Sequence, residues 1–166
     1  ELVNGIAEKN NTKITHVKPH GALNNLACEN IEVALTIGET IQKFNNEIIY
    51  VVLPLTNMED AAMKINLKYA NEIFADRNYE DNGQLISRNK KNALISNPES
   101  SMKSIMSMLK SSSIISYSGK KIKCNIDSIC IHGDNKNSLM LAKNIKNKLI
   151  KNNYELINLN KMKKFK

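Results

Sequence analysis

The hydrophobic positions along the chain fall into short runs that alternate between strand and helix patterns. The β-branched run at 47–53 ends at Pro54, which is typical of a strand covered on both faces. Over 29–44 the apolar residues recur every three or four positions, which predicts an amphipathic helix. Such alternation predicts an α/β fold with mainly parallel strands and right-handed crossovers.

The same patterns assign the other elements. Helices are predicted over 1–10, 57–66, 98–110 and 137–151, and strands over 13–18, 71–75, 128–131 and 154–159. Asn97 is the expected cap of the helix that has Pro98 in its first turn. The Ser118–Gly119 pair should turn a hairpin of 114–117 with 121–125. The segment 76–92 is left as a long polar loop.

Length and composition indicate one domain without a membrane span. A chain of 166 residues suits one hydrophobic core, so we expect a single domain over 1–166 with a basic tail at 160–166. No apolar run approaches the roughly 18 residues of a membrane helix, and no export signal is visible. The three cysteines form no CxxC pair, which favours reduced thiols. We therefore expect a cytoplasmic protein.

The charge balance is basic without indicating a nucleic-acid partner. Net charge is +8, from 24 basic and 16 acidic residues. The lysines are spread along the whole chain, and aromatic residues make up only 5% of it. Nucleic-acid sites usually combine clustered arginine with stacking aromatics, so we expect neither a nucleic acid nor a membrane as partner.

Candidate chemistry follows three predicted strands, at the positions where α/β folds place their sites. The side chains are Lys18 and His20 at the end of the strand predicted over 13–18, Asp76 and Arg77 after that over 71–75, and His132 and Asp134 after that over 128–131. Each of the two histidines precedes a glycine, which permits close approach of a ligand, and imidazole exchanges protons near neutral pH. The alternative is a turn histidine bonded to backbone.

The only two arginines of the sequence, Arg77 and Arg88, both lie in the polar loop. Their planar fork grips a carboxylate or phosphate with paired hydrogen bonds, although ordinary ion pairs with Asp76 or Asp81 would explain them equally well. The carboxylates of Asp76 and Asp134 could orient a histidine, bind a metal, accept a proton or cap a turn. A phosphate loop GxxxxGK[ST], a GxSxG elbow and an HExxH helix are all absent from the sequence.

Three motifs together resemble one family. VKPHGALNN at 17–25, EIFADRNY with GQLISR at 72–88, and ICIHGD at 129–134 resemble, in order and spacing, motifs of the LamB/YcsF family. The resemblance implies an irregular β/α barrel of the glycoside hydrolase/deacetylase type. It covers about the C-terminal two-thirds of the family pattern, and the N-terminal part of that pattern is absent from this sequence.

The resemblance also implies a function, namely that of the A subunit of an ATP-dependent 5-oxoprolinase, which opens the lactam of 5-oxoproline to L-glutamate together with subunits B and C. On this hypothesis His20, Asp76, His132 and Asp134 are catalytic, and Lys18, Arg77 and Arg88 bind substrate or phosphate. ATP is the hydrolysed co-substrate, a divalent metal is a further candidate, and homo-oligomerisation is left open. The alternatives are a metal-dependent carbohydrate or amide hydrolase or deacetylase, and a truncated, non-catalytic subunit that binds partners.

Overall fold

The computed structural model describes residues 2–133 and 138–166, which fall into two compact units. The first unit comprises Glu1–Val52, Asn57–Ala70 and Asn158–Lys166, and the second comprises Leu53–Thr56 and Asn71–Ile157. None of the described helices combines the length and the apolar character needed to cross a membrane.

The first unit packs helices against short parallel strands. Its helices are α1 (Leu2–Lys9), α2 (Gly21–Glu29), α3 (Ile31–Phe44) and α4 (Asn57–Lys64), and its strands are β1 (His16–Val17) and β2 (Ile49–Val52). Strand β1 pairs in parallel with β2, and the Tyr50 amide donates to the Lys68 carbonyl, just before β3 (Tyr69–Phe74) begins. All four residues of β2 are buried, as expected for its continuous apolar run.

The helix predicted over 29–44 is present as α3, but it begins at Ile31 and a separate helix, α2, ends just before it. Asn30 has an extended backbone and ends α2, while its side-chain oxygen accepts from the amides of Glu32 and Val33 and so begins α3. Helix α2 was not predicted, because its sequence starts with glycine and contains two asparagines, all poor helix formers. It forms through packing, since Ala27 and Cys28 are buried and the helix contacts α3 and α4.

The second unit continues β3 beside a parallel neighbour. Strand β3 pairs with β6 (Ser128–Cys130), with Phe74 opposite Cys130. Helix α5 (Pro98–Ser111) packs on α6 (Ser138–Lys151) and on β4 (Ser113–Ile115), which forms an antiparallel hairpin with β5 (Lys121–Lys123). The α/β class with mainly parallel strands is thus confirmed, as are the hairpin and the Asn97 cap.

One predicted strand is wrong. Residues 154–158 are irregular and lead into short 3₁₀ turns at Leu159–Lys161 and Lys163–Phe165. A strand requires a hydrogen-bonded neighbour, and no such partner for this segment occurs among the described residues. Leu156 and Ile157 are consequently about half exposed, at 51% and 46%. The strand predicted over 13–18 is present but reduced to β1.

Candidate functional site

The centre of the candidate site is a histidine paired with a carboxylate. Nδ1 of His132 lies 2.8 Å from Oδ2 and 2.9 Å from Oδ1 of Asp76. Asp76 follows β3 and His132 follows β6, so the carboxyl ends of two parallel neighbours bring them together. The two side chains are only 20% and 18% exposed. Partial removal from water strengthens the hydrogen bond and fixes the orientation of the ring.

Arg88 occupies the other side of the imidazole. Its Nη2 lies 3.1 Å from Nε2 of His132. A guanidinium group only donates hydrogen bonds, so Nε2 must accept and Nδ1 must carry the ring proton towards Asp76. The three side chains therefore form a row in which His132 is the neutral Nδ1–H tautomer and both of its ring nitrogens have partners.

The His132 ring is also held from its face. Phe74 stacks on it with ring centroids 5.5 Å apart and an interplanar angle of 29°. The Phe74 amide donates to the Tyr79 hydroxyl at 2.7 Å, so the polar loop folds back onto the end of β3. Tyr79 is 1% exposed, and burial raises the pKa of its phenol, which keeps the hydroxyl protonated. These contacts restrict the ring to one orientation.

Arg77, the other arginine of the loop, points into the protein. It is 7% exposed, and its Nη2 donates to the Ile86 carbonyl at 2.6 Å. Its Nε is buried without a partner in the described part of the chain. Burial lowers the pKa of its guanidinium, and the like charge of Arg88 lowers it further. The contact with Ile86 anchors the loop two residues before Arg88.

A small space adjoins the Asp76–His132 pair. Its volume is about 10 Å³, and its lining includes Asp76, His132, Ser96, Ser101 and Leu141. Ser101 is fully buried, and among the described residues its hydroxyl has no hydrogen-bond partner. A space of this size holds about one water molecule. The sequence offered no signal for Ser101, because a serine inside a helix pattern is ordinary.

The other predicted site residues have different placements. Lys18 and His20 belong to the first unit, where Lys18 is partly exposed and His20 is exposed directly before α2. The His20 backbone is extended and its ring makes no capping bond within the described ranges, although the next residue, Gly21, has a φ of 60°. Asp134 lies outside the described residues. Asp76, Arg88 and His132 are the predicted residues that the structure brings into contact.

A metal would need more ligands than the described side chains gather. Residues 2–133 and 138–166 contain no cluster of three or more histidine, cysteine, aspartate or glutamate side chains suited to hold an ion. Nδ1 of His132 is already bonded to Asp76 and Nε2 to Arg88. The described groups are thus a histidine, a carboxylate and a guanidinium in hydrogen-bond contact, which is chemistry that can exchange a proton and can bind an anion.

Known proteins resemble the chain along nearly all of its length. A model of the LamB/YcsF family matches residues 1–164. A protein of Clostridium beijerinckii, named as the A subunit of 5-oxoprolinase, is 43% identical over 150 residues, covering 90% of this chain and 59% of the relative. A protein of the same name from Campylobacter jejuni subsp. doylei is 42% identical over 152 residues, covering 92% and 60%.

A solved structure shows the same fold. The lactam utilization protein of Thermus thermophilus superposes with a TM-score of 0.82 at 29% identity, covering 92% of this chain and 60% of that one. The chain spans about three fifths of the length of the curated relatives it matches. By the match to the family model and these likenesses, the chain belongs to the LamB/YcsF family.

Proposed function

We propose that this chain contributes the ring-opening groups of an ATP-dependent 5-oxoprolinase. The observation that carries the proposal is the row formed by Asp76, His132 and Arg88, which sets a histidine base beside a cation. The relatives named as the A subunit of 5-oxoprolinase and the structural neighbour titled a lactam utilization protein support the substrate class. A hydrolase that acts on a cyclic amide can use the histidine as a general base and the cation to bind an anionic substrate.

The groups of the row match the features of 5-oxoproline. The molecule carries one carboxylate next to a cyclic amide. Arg88 can hold the carboxylate with its planar fork. His132 can then accept a proton from the attacking water at Nε2, while Asp76 keeps the ring oriented and stabilises the imidazolium that forms. The Phe74 contact keeps the ring in that position.

In the proposed reaction ATP transfers its terminal phosphoryl group to the lactam oxygen, which makes the ring carbon more electrophilic. Water adds to this carbon and gives a proton to Nε2 of His132. The carbon–nitrogen bond then breaks, and the nitrogen takes that proton from His132 and becomes an amine. The hydroxyl on the carbon releases its proton to water and becomes the carbonyl of an acyl phosphate. A second water hydrolyses the resulting acyl phosphate to the carboxylate of glutamate and inorganic phosphate.

ATP and the companion subunits B and C are parts of the same proposal. The sequence carries no P-loop motif, and we assign the ATP-binding site to one of these companion subunits. The proposed steps use protein side chains, ATP and water. The roles expected for Lys18, His20 and Asp134 stay predictions.

Substitution of the base tests the proposal. We expect His132→Gln and Asp76→Asn each to lower kcat for ATP-dependent glutamate release by about 10²-fold or more, since a positioned base contributes about 10²–10⁴-fold. The assay uses the complete complex with its companion subunits. His16→Gln is the matched control, because His16 is exposed and lies in the first unit. Full turnover by His132→Gln would contradict the assignment.

A further inference from the structure

The ring nitrogen that would accept the proton is already occupied in the structure. Nε2 of His132 accepts from Arg88 at 3.1 Å, and Nδ1 donates to Asp76. An imidazole has one lone pair for a proton in this tautomer, and Arg88 uses it. The base is therefore masked while Arg88 stays in this position.

A carboxylate can replace the imidazole as the hydrogen-bond partner of Arg88. The side chain is exposed and lies two residues beyond Ile86, which is buried and whose carbonyl is held by Arg77. Its hydrogen-bond partner among the described residues is the neutral imidazole. A carboxylate makes a charge-assisted bond to guanidinium that is roughly twice as strong as a bond between neutral groups.

We propose that Arg88 is a specificity-determining residue that unmasks His132 only when a carboxylate arrives. The substrate carboxylate draws the guanidinium away from Nε2 and binds it, which leaves the lone pair of His132 vacant for the proton of water. A lactam of the same ring size without a carboxylate does not move Arg88, so it meets a masked base. The inference rests on the proposed function and adds how the site would distinguish a lactam that carries a carboxylate from one that does not.

Chemical modification of His132 tests the masking without turnover. Diethyl pyrocarbonate acylates the unprotonated, accessible ring nitrogen, and peptide mass spectrometry follows each histidine separately. Exposed His16 and His20 serve as internal references in every sample. Acetate is the anionic probe and acetamide is its neutral match, and both are too small to cover the ring as a lactam would.

We expect acetate, in a saturable manner, to raise the modification rate of His132 by about tenfold relative to the references, and acetamide to leave it unchanged. Tenfold corresponds to about 1.4 kcal/mol, close to the net contribution of one hydrogen bond. Arg88→Gln should react about tenfold faster without any anion and should not respond to acetate. Lys90→Gln is the matched control on the same loop, because Lys90 pairs with Glu80, and it should behave like the wild type.

The outcomes separate the two proposals. An unchanged His132 rate in acetate, or a slow rate in Arg88→Gln, would overturn the masking even if the complete complex turns over 5-oxoproline. The reverse pattern is an acetate response without turnover in the complex. It would support the masking of His132 by Arg88 and contradict the proposed 5-oxoprolinase reaction. In the complex, Arg88→Gln should also lose the preference for 5-oxoproline over 2-pyrrolidinone, the same ring without a carboxylate; a retained preference would overturn the specificity role.

Discussion

Arg77 and Arg88 show how differently one residue type is used within a single loop. Both stand in polar sequence eleven residues apart, by the numbering of the chain. Arg77 is buried and donates to the Ile86 carbonyl, whereas Arg88 is exposed and donates to His132. The buried guanidinium holds the loop in shape, and the exposed one is available to a ligand.

This difference predicts opposite effects on stability. Arg77→Ala should lower the free energy of unfolding by about 2 kcal/mol, because a hydrogen bond from a charged donor to a buried carbonyl is lost and the carbonyl is left without it. Arg88→Ala, the matched control, should change it by no more than about 0.5 kcal/mol, as exposed substitutions usually do. Urea unfolding measures both. Equal losses would show that Arg77 does not anchor the loop.

At the scale of elements, a single carboxylate ties the polar loop to the β4–β5 hairpin. Oδ1 of Asp81 accepts from the hydroxyls of Ser116 and Ser118, both at 2.6 Å. The Lys120 ammonium donates to the Asp81 carbonyl at 3.0 Å. The two hydroxyl bonds, and then the Lys120 charge, hold the pKa of Asp81 below its ordinary value. The hairpin turn is thereby joined to the loop that carries Arg88.

The lowered pKa predicts a defined pH dependence. A carboxyl whose pKa is lower in the folded state contributes stability above its unfolded pKa of about 3.9, and this contribution is lost as the pH falls through the folded pKa. Asp81→Asn should therefore be less stable than the wild type at pH 6. The difference should begin to shrink below about pH 4 and vanish once the pH is below the lowered pKa of the folded state. Urea unfolding at a series of pH values measures the difference. If the free energies of unfolding of the wild type and Asp81→Asn differed by the same amount at every pH, this account would be contradicted. Glu80→Gln on the same loop is the control.

At the scale of the molecule, the chain is one part of a larger system in the proposed reaction. It spans about three fifths of the relatives it matches, and those relatives are named as subunits. The row formed by Asp76, His132 and Arg88 lies wholly within the second unit.

The proposed assignment of ring opening to this chain and of ATP binding to a companion subunit can be tested by reconstitution. The purified chain alone should release no glutamate from 5-oxoproline with ATP, and addition of companion subunits B and C should produce ATP-dependent release. The assay measures glutamate and ADP together, and the companion subunits without the chain serve as the control. Release by the chain alone would show that it carries its own ATP site.

The sequence by itself determined the elements whose signals are local. The Asn97–Pro98 start of α5, the β-branched run of β2 and the Ser118–Gly119 turn appear as predicted, because capping, strand propensity and turn geometry depend on neighbouring residues. The rule that chemistry follows parallel strands also selected both Asp76 and His132. Each of these two residues was selected from its position just after a predicted strand, which requires no tertiary information.

Only the tertiary structure decided which predicted residues meet. Asp76 and His132 are 56 residues apart along the chain, and Arg88 and His132 are 44 apart. No local pattern states that Arg88 rather than Arg77 reaches the imidazole, that buried Ser101 lines the space beside it, or that α2 forms by packing. The segment 154–158 stays irregular for the same reason, since a strand exists only with a partner to accept its hydrogen bonds.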